Sequence, residues 1–452
     1  MTPLRRRGLL GAMAAATLAG AAGRAWAGQA SASASASAAL PPQAPAQGGQ
    51  ARARVLIVGG GWGGLAAAHA LGRDSAGRLD VTLIDRSPQW RSLPLSSAWL
   101  VGRAPERLPR LDLAELARRQ GWRFVAAEVQ AIDRPGRRLD TSAGAFAYDW
   151  LILATGATHD DAAWYGGDAR AQAEARARFP AGFQASELDG LQRALQGFQG
   201  GDLLLTVPPP PYRCPPAPYE RAVLLAGWIR ARGLRAKVTL LDAGAGMPRY
   251  TRLFNERWRG LIEHRPYSEV RRVDPWARTV RTDDGDIPFD HALLLAPMGA
   301  GALLAQAGLL GRHPQGQPSR WAAVDPLSLR APGDERVLIV GDALDSVSIL
   351  FGAYPKTAQI AADLGAAAAR QVLAASLGQP LPSAAELLPT SQCHVWLDAD
   401  PAEQLRIDTS YRLRGDGVIV QTVRQVDNPQ PRDEDLQWAR GLMAARLGLD
   451  LT

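Results

Sequence analysis

Short uninterrupted apolar runs, each closed by glycine, aspartate or proline, recur along the chain. The first is Arg54-Val55-Leu56-Ile57-Val58, followed by residues 79–85, 150–153, 202–207, 236–241 and Arg336-Val337-Leu338-Ile339-Val340. Apolar runs without alternation predict strands covered on both faces, as in parallel sheets flanked by helices. Between them lie helical stretches, alanine-rich at 65–71 and amphipathic at 221–232. Residues 378–388 carry Gly, Pro and Ser and mark a boundary. Beyond it, 393–397, 404–407 and 417–423 predict short strands and 433–447 an amphipathic helix. The alternation of strand and helix makes the fold class α/β, with a small α+β domain at the C-terminus.

The first strand runs into Gly59-Gly60-Gly61-Trp62-Gly63-Gly64 and then a helix, with Asp85 closing the second strand. This is the dinucleotide fingerprint in its required setting. Gly59 turns the chain, Gly61 lets backbone approach a pyrophosphate, Gly64 permits close helix packing, and Asp85 can accept hydrogen bonds from a ribose. Residues 202–242 have the outline of a second Rossmann-like unit, but its phosphate loop is missing. Pro208 to Pro211 stand where glycines would offer N–H groups, so a nicotinamide dinucleotide is a poor expectation there. The strands ending in Thr155-Gly156 and Gly341-Asp342 resemble those of two-dinucleotide-fold flavoproteins, whose first domain is interrupted and resumes near the C-terminus. The resemblance implies FAD, with Asp342 at its ribityl and phosphate region.

The chain opens with Arg5-Arg6-Arg7-Gly8-Leu9-Leu10, an alanine-rich apolar stretch and Ala25-Trp26-Ala27. These form an export signal that resembles a twin-arginine leader, and the expected location is the periplasm. Loss of Arg5, Arg6, Arg7 and Arg24 takes the formal charge from +7 to +3. The remaining basic residues are scattered, which argues against nucleic acid as a partner. The apolar stretch at 9–22 is too short for a stable membrane span. Six scattered histidines and two cysteines give no metal-ligand spacing.

Cys214 sits in Pro208-Pro209-Pro210-Pro211-Tyr212-Arg213-Cys214-Pro215-Pro216, a stiff scaffold that reads as a positioned thiol. With Cys393 the only other cysteine, an exported chain is expected to pair the two in a disulfide, whose plain reading is a structural staple. From about Arg54 onwards the chain resembles the flavoprotein subunit of flavocytochrome c sulfide dehydrogenase, among the relatives of sulfide:quinone oxidoreductases. The run from Pro210 to Ala222 carries the resemblance most specifically. It implies a redox cysteine at Cys214, its partner at Cys393 and an acid/base role for Glu220, whose plain reading is a helix-start carboxylate. Tyr354-Pro355-Lys356 resembles the segment that opens the family's flavin-facing helix, giving Lys356 a flavin-side role, against a plain reading as an exposed lysine. Leu93 occupies the place of a cysteine that attaches FAD covalently in many members, so non-covalent FAD is expected.

The implied division is a leader at 1–27, a linker at 28–51, an FAD-binding domain from 52–160 and 330–378, a second dinucleotide-like domain at 161–329 and the α+β domain at 379–452. The implied activity is oxidation of sulfide, or a related small sulfur compound, through a Cys214–Cys393 disulfide beside FAD. Electrons would leave to a c-type cytochrome, since the chain has no haem-attachment motif of its own. The alternatives are a sulfide:quinone oxidoreductase-like enzyme and a non-catalytic electron-transfer flavoprotein with a structural disulfide.

Overall fold

The computed structural model describes residues 52–104, 108–313 and 316–449; the expected leader and linker lie outside them. Six strands form the first sheet, in the order Arg330–Ala331, Asp334–Ile339, Trp150–Leu153, Ala53–Val58, Leu79–Asp85 and Arg123–Ala126. All but Arg330–Ala331 run parallel. The strand Asp334–Ile339 slots in beside Trp150–Leu153, so the first unit is discontinuous in sequence. The register places Val58 beside Ile84 and Leu153, and Leu153 beside Ile339. Loops 59–61, 154–156 and 340–342 therefore leave the sheet side by side, at the strand ends where α/β sheets bind ligands.

Two glycines shape that edge. Gly59 has φ +105°, and a Cβ there would run into the Ala154 carbonyl. A Cβ on Gly64 would strike the Gly59 carbonyl, so only glycine lets the helix Trp62–Asp74 sit against the loop. That helix is longer at both ends than the 65–71 stretch predicted, because its first turn forms directly from Gly61. The helix Ala358–Leu377 packs on it through alanines and a Gly63–Gly365 contact with no room for a side chain. Thr357 caps its start by accepting from the Ile360 N–H at 3.3 Å, and Gly378 closes it in the left-handed conformation. Among the described residues it is the one helix long and apolar enough to cross a membrane, and 67% of that window is buried inside the protein.

The second sheet is wholly parallel, in the order Ile262–Arg265, Ala236–Asp242, Gly201–Val207 and His291–Leu293. The helix Ala217–Ala231 connects its first two strands in sequence. It begins earlier than the predicted 221, since the Cys214 carbonyl accepts the Ala217 N–H at 2.9 Å and starts the turn. Asp242, closing its strand, is buried and accepts the Tyr219 hydroxyl at 2.6 Å.

The C-terminal sheet is three antiparallel strands, Thr390–Ala399, Ala402–Leu413 and Ile419–Asn428, followed by the helix Glu434–Leu447. The strands are much longer than predicted. Most of Ile419–Asn428 is polar and open to solvent, so ladder pairing, not apolar pattern, sets its length. The face of Thr390–Ala399 lies on the helix Ala217–Ala231, where Gly227 makes room for Ala399, and the Trp396 carbonyl accepts the Tyr250 hydroxyl at 2.9 Å. This docking carries Cys393 to the start of the helix that follows Cys214.

Candidate active site

A cavity of about 690 Å³ opens along the loop edge of the first sheet and extends to the two cysteines. One end is lined by Gly61, Asp85, Thr155, Gly156, Gly341 and Asp342, and the other by Cys214, Glu220, Arg221, Cys393 and Trp396. Gly59 and Gly64 shape the loop from behind without lining the cavity.

At the loop end, the Asp85 carboxylate accepts from Gly60 N at 2.6 Å and Ser87 N at 2.8 Å, which holds the glycine turn against the second strand. The helix Trp62–Asp74 starts without a side-chain cap or an acidic residue in its first turn, leaving N–H groups for an anion. A Cβ on Gly61 would meet nothing within 4 Å. Thr155 Oγ1 is buried with no hydrogen-bond partner among the described residues, a polar atom that a ligand can satisfy. These features fit a dinucleotide cofactor.

Asp342 is engaged by Arg213, whose Nε donates to its carboxylate at 2.8 Å. Arg213 also donates to the carbonyls of Phe183 at 2.8 Å and Ala157 at 3.3 Å. It thereby ties the cysteine loop to the first unit at Ala157 and Asp342 and to Phe183 of the second. Lys356 lines the cavity, but its ammonium donates to the Leu344 carbonyl at 2.9 Å and lies 3.7 Å from the Trp321 ring centroid. The side chain is buried, unlike the exposed lysine of the plain reading, and burial brings its pKa down to about 8.

Cys214 adopts φ +50°, a left-handed conformation rare for a residue with a side chain and costing about 1–2 kcal/mol. Its N–H donates to the Lys356 carbonyl at 2.8 Å while its own carbonyl starts the helix. Cys393 lies on the C-terminal sheet, paired with Ile407. Both thiols are free. The expected Cys214–Cys393 disulfide is thus corrected: each cysteine is pinned by backbone bonds to a different element, and the two are held outside bonding distance. The expected attack of sulfide on a disulfide, with relay to a c-type cytochrome, loses its starting bond and is corrected with it. Burial pushes both thiols up, Cys393 to about 11, with the Ser391 hydroxyl at 3.8 Å opposing the rise.

Glu220 is buried, and its Oε1 accepts the Trp396 N–H at 3.0 Å. Desolvation dominates and pushes its carboxyl up to about 7, against the pull of that hydrogen bond and of Ser97. A carboxyl at that value holds or releases a proton near neutrality. Sequence reasoning gave no role to Arg213, Arg221 or Asp435, which also line the cavity. A charged residue opening the apolar run Ala222-Val223-Leu224-Leu225-Ala226 was the available signal for Arg221.

Fold and cradle together define the class: an FAD-binding oxidoreductase fold built from two dinucleotide-type units. Residues 53–177 match the pyridine nucleotide-disulphide oxidoreductase family, and residues 190–292 match the central region of the sulfide dehydrogenase (flavocytochrome c) flavoprotein chain. Each match covers about a quarter of the chain, which is similar to both families over those stretches. A mitochondrial sulfide:quinone oxidoreductase of Mus musculus is 24% identical over 64% of this chain and 65% of its own length. An NADH dehydrogenase-like protein of Mycobacterium tuberculosis is 34% identical over 33% of this chain and 36% of its own. The matched stretches thus span from about a third to just under two thirds of these relatives. The sulfide:quinone oxidoreductase structure from Aquifex aeolicus shares the fold, with a TM-score of 0.63 at 19% identity, covering 83% of this chain and 87% of that one.

Proposed function

We propose that the protein is an FAD-dependent oxidoreductase that oxidises sulfide, or a closely related reduced sulfur compound, in the manner of a sulfide:quinone oxidoreductase. The observation that carries this reading is one cavity joining a dinucleotide cradle to two free thiols and a carboxyl near neutral pKa. Gly61 and the start of the helix Trp62–Asp74 would hold the pyrophosphate, Asp85 the ribose, and Thr155, Gly156, Gly341 and Asp342 the remainder. Bound FAD supplies a two-electron acceptor. Joining a buried thiol to hydrosulfide as an ionised persulfide releases two protons and two electrons; both electrons and one proton go to that acceptor, leaving one proton. One of the two thiols holds the sulfur, Glu220 takes the proton, and the buried surroundings exclude water. Leu93, beside the cavity, has no sulfur to form a thioether, so acid precipitation is expected to release all FAD into the supernatant; yellow colour retained in the pellet contradicts it. The activity is tested by anaerobic titration of FAD-loaded protein with sulfide, followed by mixing with a short-chain quinone. Bleaching of the flavin near stoichiometry and recovery on quinone addition are expected. A flavin that stays oxidised in excess sulfide overturns the reading.

A further inference from the structure

Arg221 is a buried charge with no ion pair among the described residues, and only Glu220, Cys214 and Glu187 are near enough to act on it electrostatically. Its side chain is 4% exposed, and its guanidinium donates only to neutral groups. These are the carbonyls of Ala181 and Gly182 and the hydroxyls of Ser96 and Ser97, at 3.4 and 3.3 Å. Its flat face lies 4.2 Å from the Phe183 ring centroid. Among the described residues no carboxylate lies within ion-pair distance of it. Glu187 is committed to the N–H groups of Phe183 at 2.9 Å and Gln184 at 3.2 Å. Glu220 gives one oxygen to Trp396 N–H, and burial keeps its carboxyl largely protonated up to about pH 7. A guanidinium has five N–H donors, and four of them are used among the described residues, leaving one on Nη1. Burying a cation without a counter-ion is costly, and proteins rarely accept that cost where nothing uses the charge.

We propose that Arg221 is the specificity residue at the thiol end of the cavity, so that the site takes its substrate as a small sulfur anion, hydrosulfide or a persulfide, which supplies the missing counter-charge. This inference rests on the proposed sulfur chemistry for the identity of the anion and on Arg221 alone for its sign. In a site lined by Phe183 and Trp396 a cation attracts an anion far more strongly than in water. A neutral thiol of the same size gains nothing comparable.

The test uses the chain's two thiols as reporters. FAD-loaded protein is alkylated anaerobically with iodoacetate or iodoacetamide, which differ in charge and hardly in shape, and the Cys214 and Cys393 peptides are quantified by mass spectrometry. The ratio of the two rate constants is compared with that of a free thiol. In the wild type the ratio is expected about tenfold above the free-thiol value, the size of one modest charge–charge attraction. Arg221→Gln is expected to bring it to the free-thiol value and Arg221→Lys to keep most of the gain. A wild-type ratio at or below the free-thiol value overturns the proposal, and that measurement needs no variant to fold. An unchanged ratio in Arg221→Gln, with both rates lowered equally, also overturns it, since that marks support of the thiolate and not selection of an anion. No sulfide turnover enters the readout. A protein that shows the preference yet fails to oxidise sulfide refutes the proposed function and leaves the anion site standing.

Discussion

At the scale of single residues, burial decides the chemistry. Glu220 is ionised in the unfolded chain above about 4.5 but holds its proton in the folded protein up to about 7. Between those values the unfolded state has already lost a proton that the folded state keeps, so stability falls as pH rises through this window. The loss attributable to Glu220 across the whole window is roughly 3 kcal/mol. Glu220→Gln keeps an acceptor for the Trp396 N–H and removes the titration. Denaturant unfolding at pH 5 and pH 8 is expected to show a smaller difference in the variant than in the wild type, and equal differences would contradict the assignment. In the same variant, sulfide-driven flavin reduction should lose its rise through pH 7. Thr155 gives a second test. Its orphaned hydroxyl has no protein partner to lose, so Thr155→Val should leave FAD-free protein at least as stable while weakening FAD retention roughly tenfold. Equilibrium dialysis checks this; unchanged retention means that the hydroxyl is not used by the cofactor.

At the scale of elements, the two dinucleotide-type units differ in one loop. After Gly201–Val207 come Pro208 to Pro211, which offer no N–H group where a second pyrophosphate would need several. NADH and NADPH are therefore expected not to bleach the flavin on a catalytic timescale under anaerobic mixing, and rapid stoichiometric bleaching by either would show that the prolines do not exclude a nucleotide. Both glycine loop and proline loop were legible in the sequence because each is a local motif whose meaning depends on backbone donors alone. The strands Ala53–Val58, Trp150–Leu153 and Ala236–Asp242 were legible because both their faces are covered, so the apolar run and the element coincide. Ile419–Asn428 was only half visible, since its second half, Arg424-Gln425-Val426-Asp427-Asn428, is mostly polar and carries little apolar signal. The free state of Cys214 and Cys393 was not legible at all. Their separation depends on how the C-terminal sheet docks on the helix Ala217–Ala231, which no local pattern encodes. Arg221 was hidden for a similar reason, its partners being backbone carbonyls forty and thirty-nine residues away.

At the scale of the whole molecule, the C-terminal sheet is held to the second unit by a small number of polar contacts. Asp398 is fully buried and accepts from Arg257 Nη1 at 2.6 Å, with Glu403 sharing the guanidinium. Arg257 is 36% exposed, so solvent screens part of the interaction. Arg257→Ala should cost about 2 kcal/mol, mainly by stranding the buried carboxylate. The loss should appear first as faster proteolysis in 379–389, detected by mass spectrometry, before global unfolding. Cleavage kinetics indistinguishable from wild type would show that apolar packing alone fixes the sheet.

The insertion of Asp334–Ile339 beside Trp150–Leu153 has a consequence for biosynthesis. A ribosome has long since released Gly59 to Gly64 and Thr155 when it reaches Asp342, and until then the central sheet lacks a strand and the cradle lacks a wall. Closing the first sheet therefore waits on a contact of high sequence separation, which is correspondingly slow to form. A nascent chain stalled before residue 340 thus carries the glycine motif without a complete cradle.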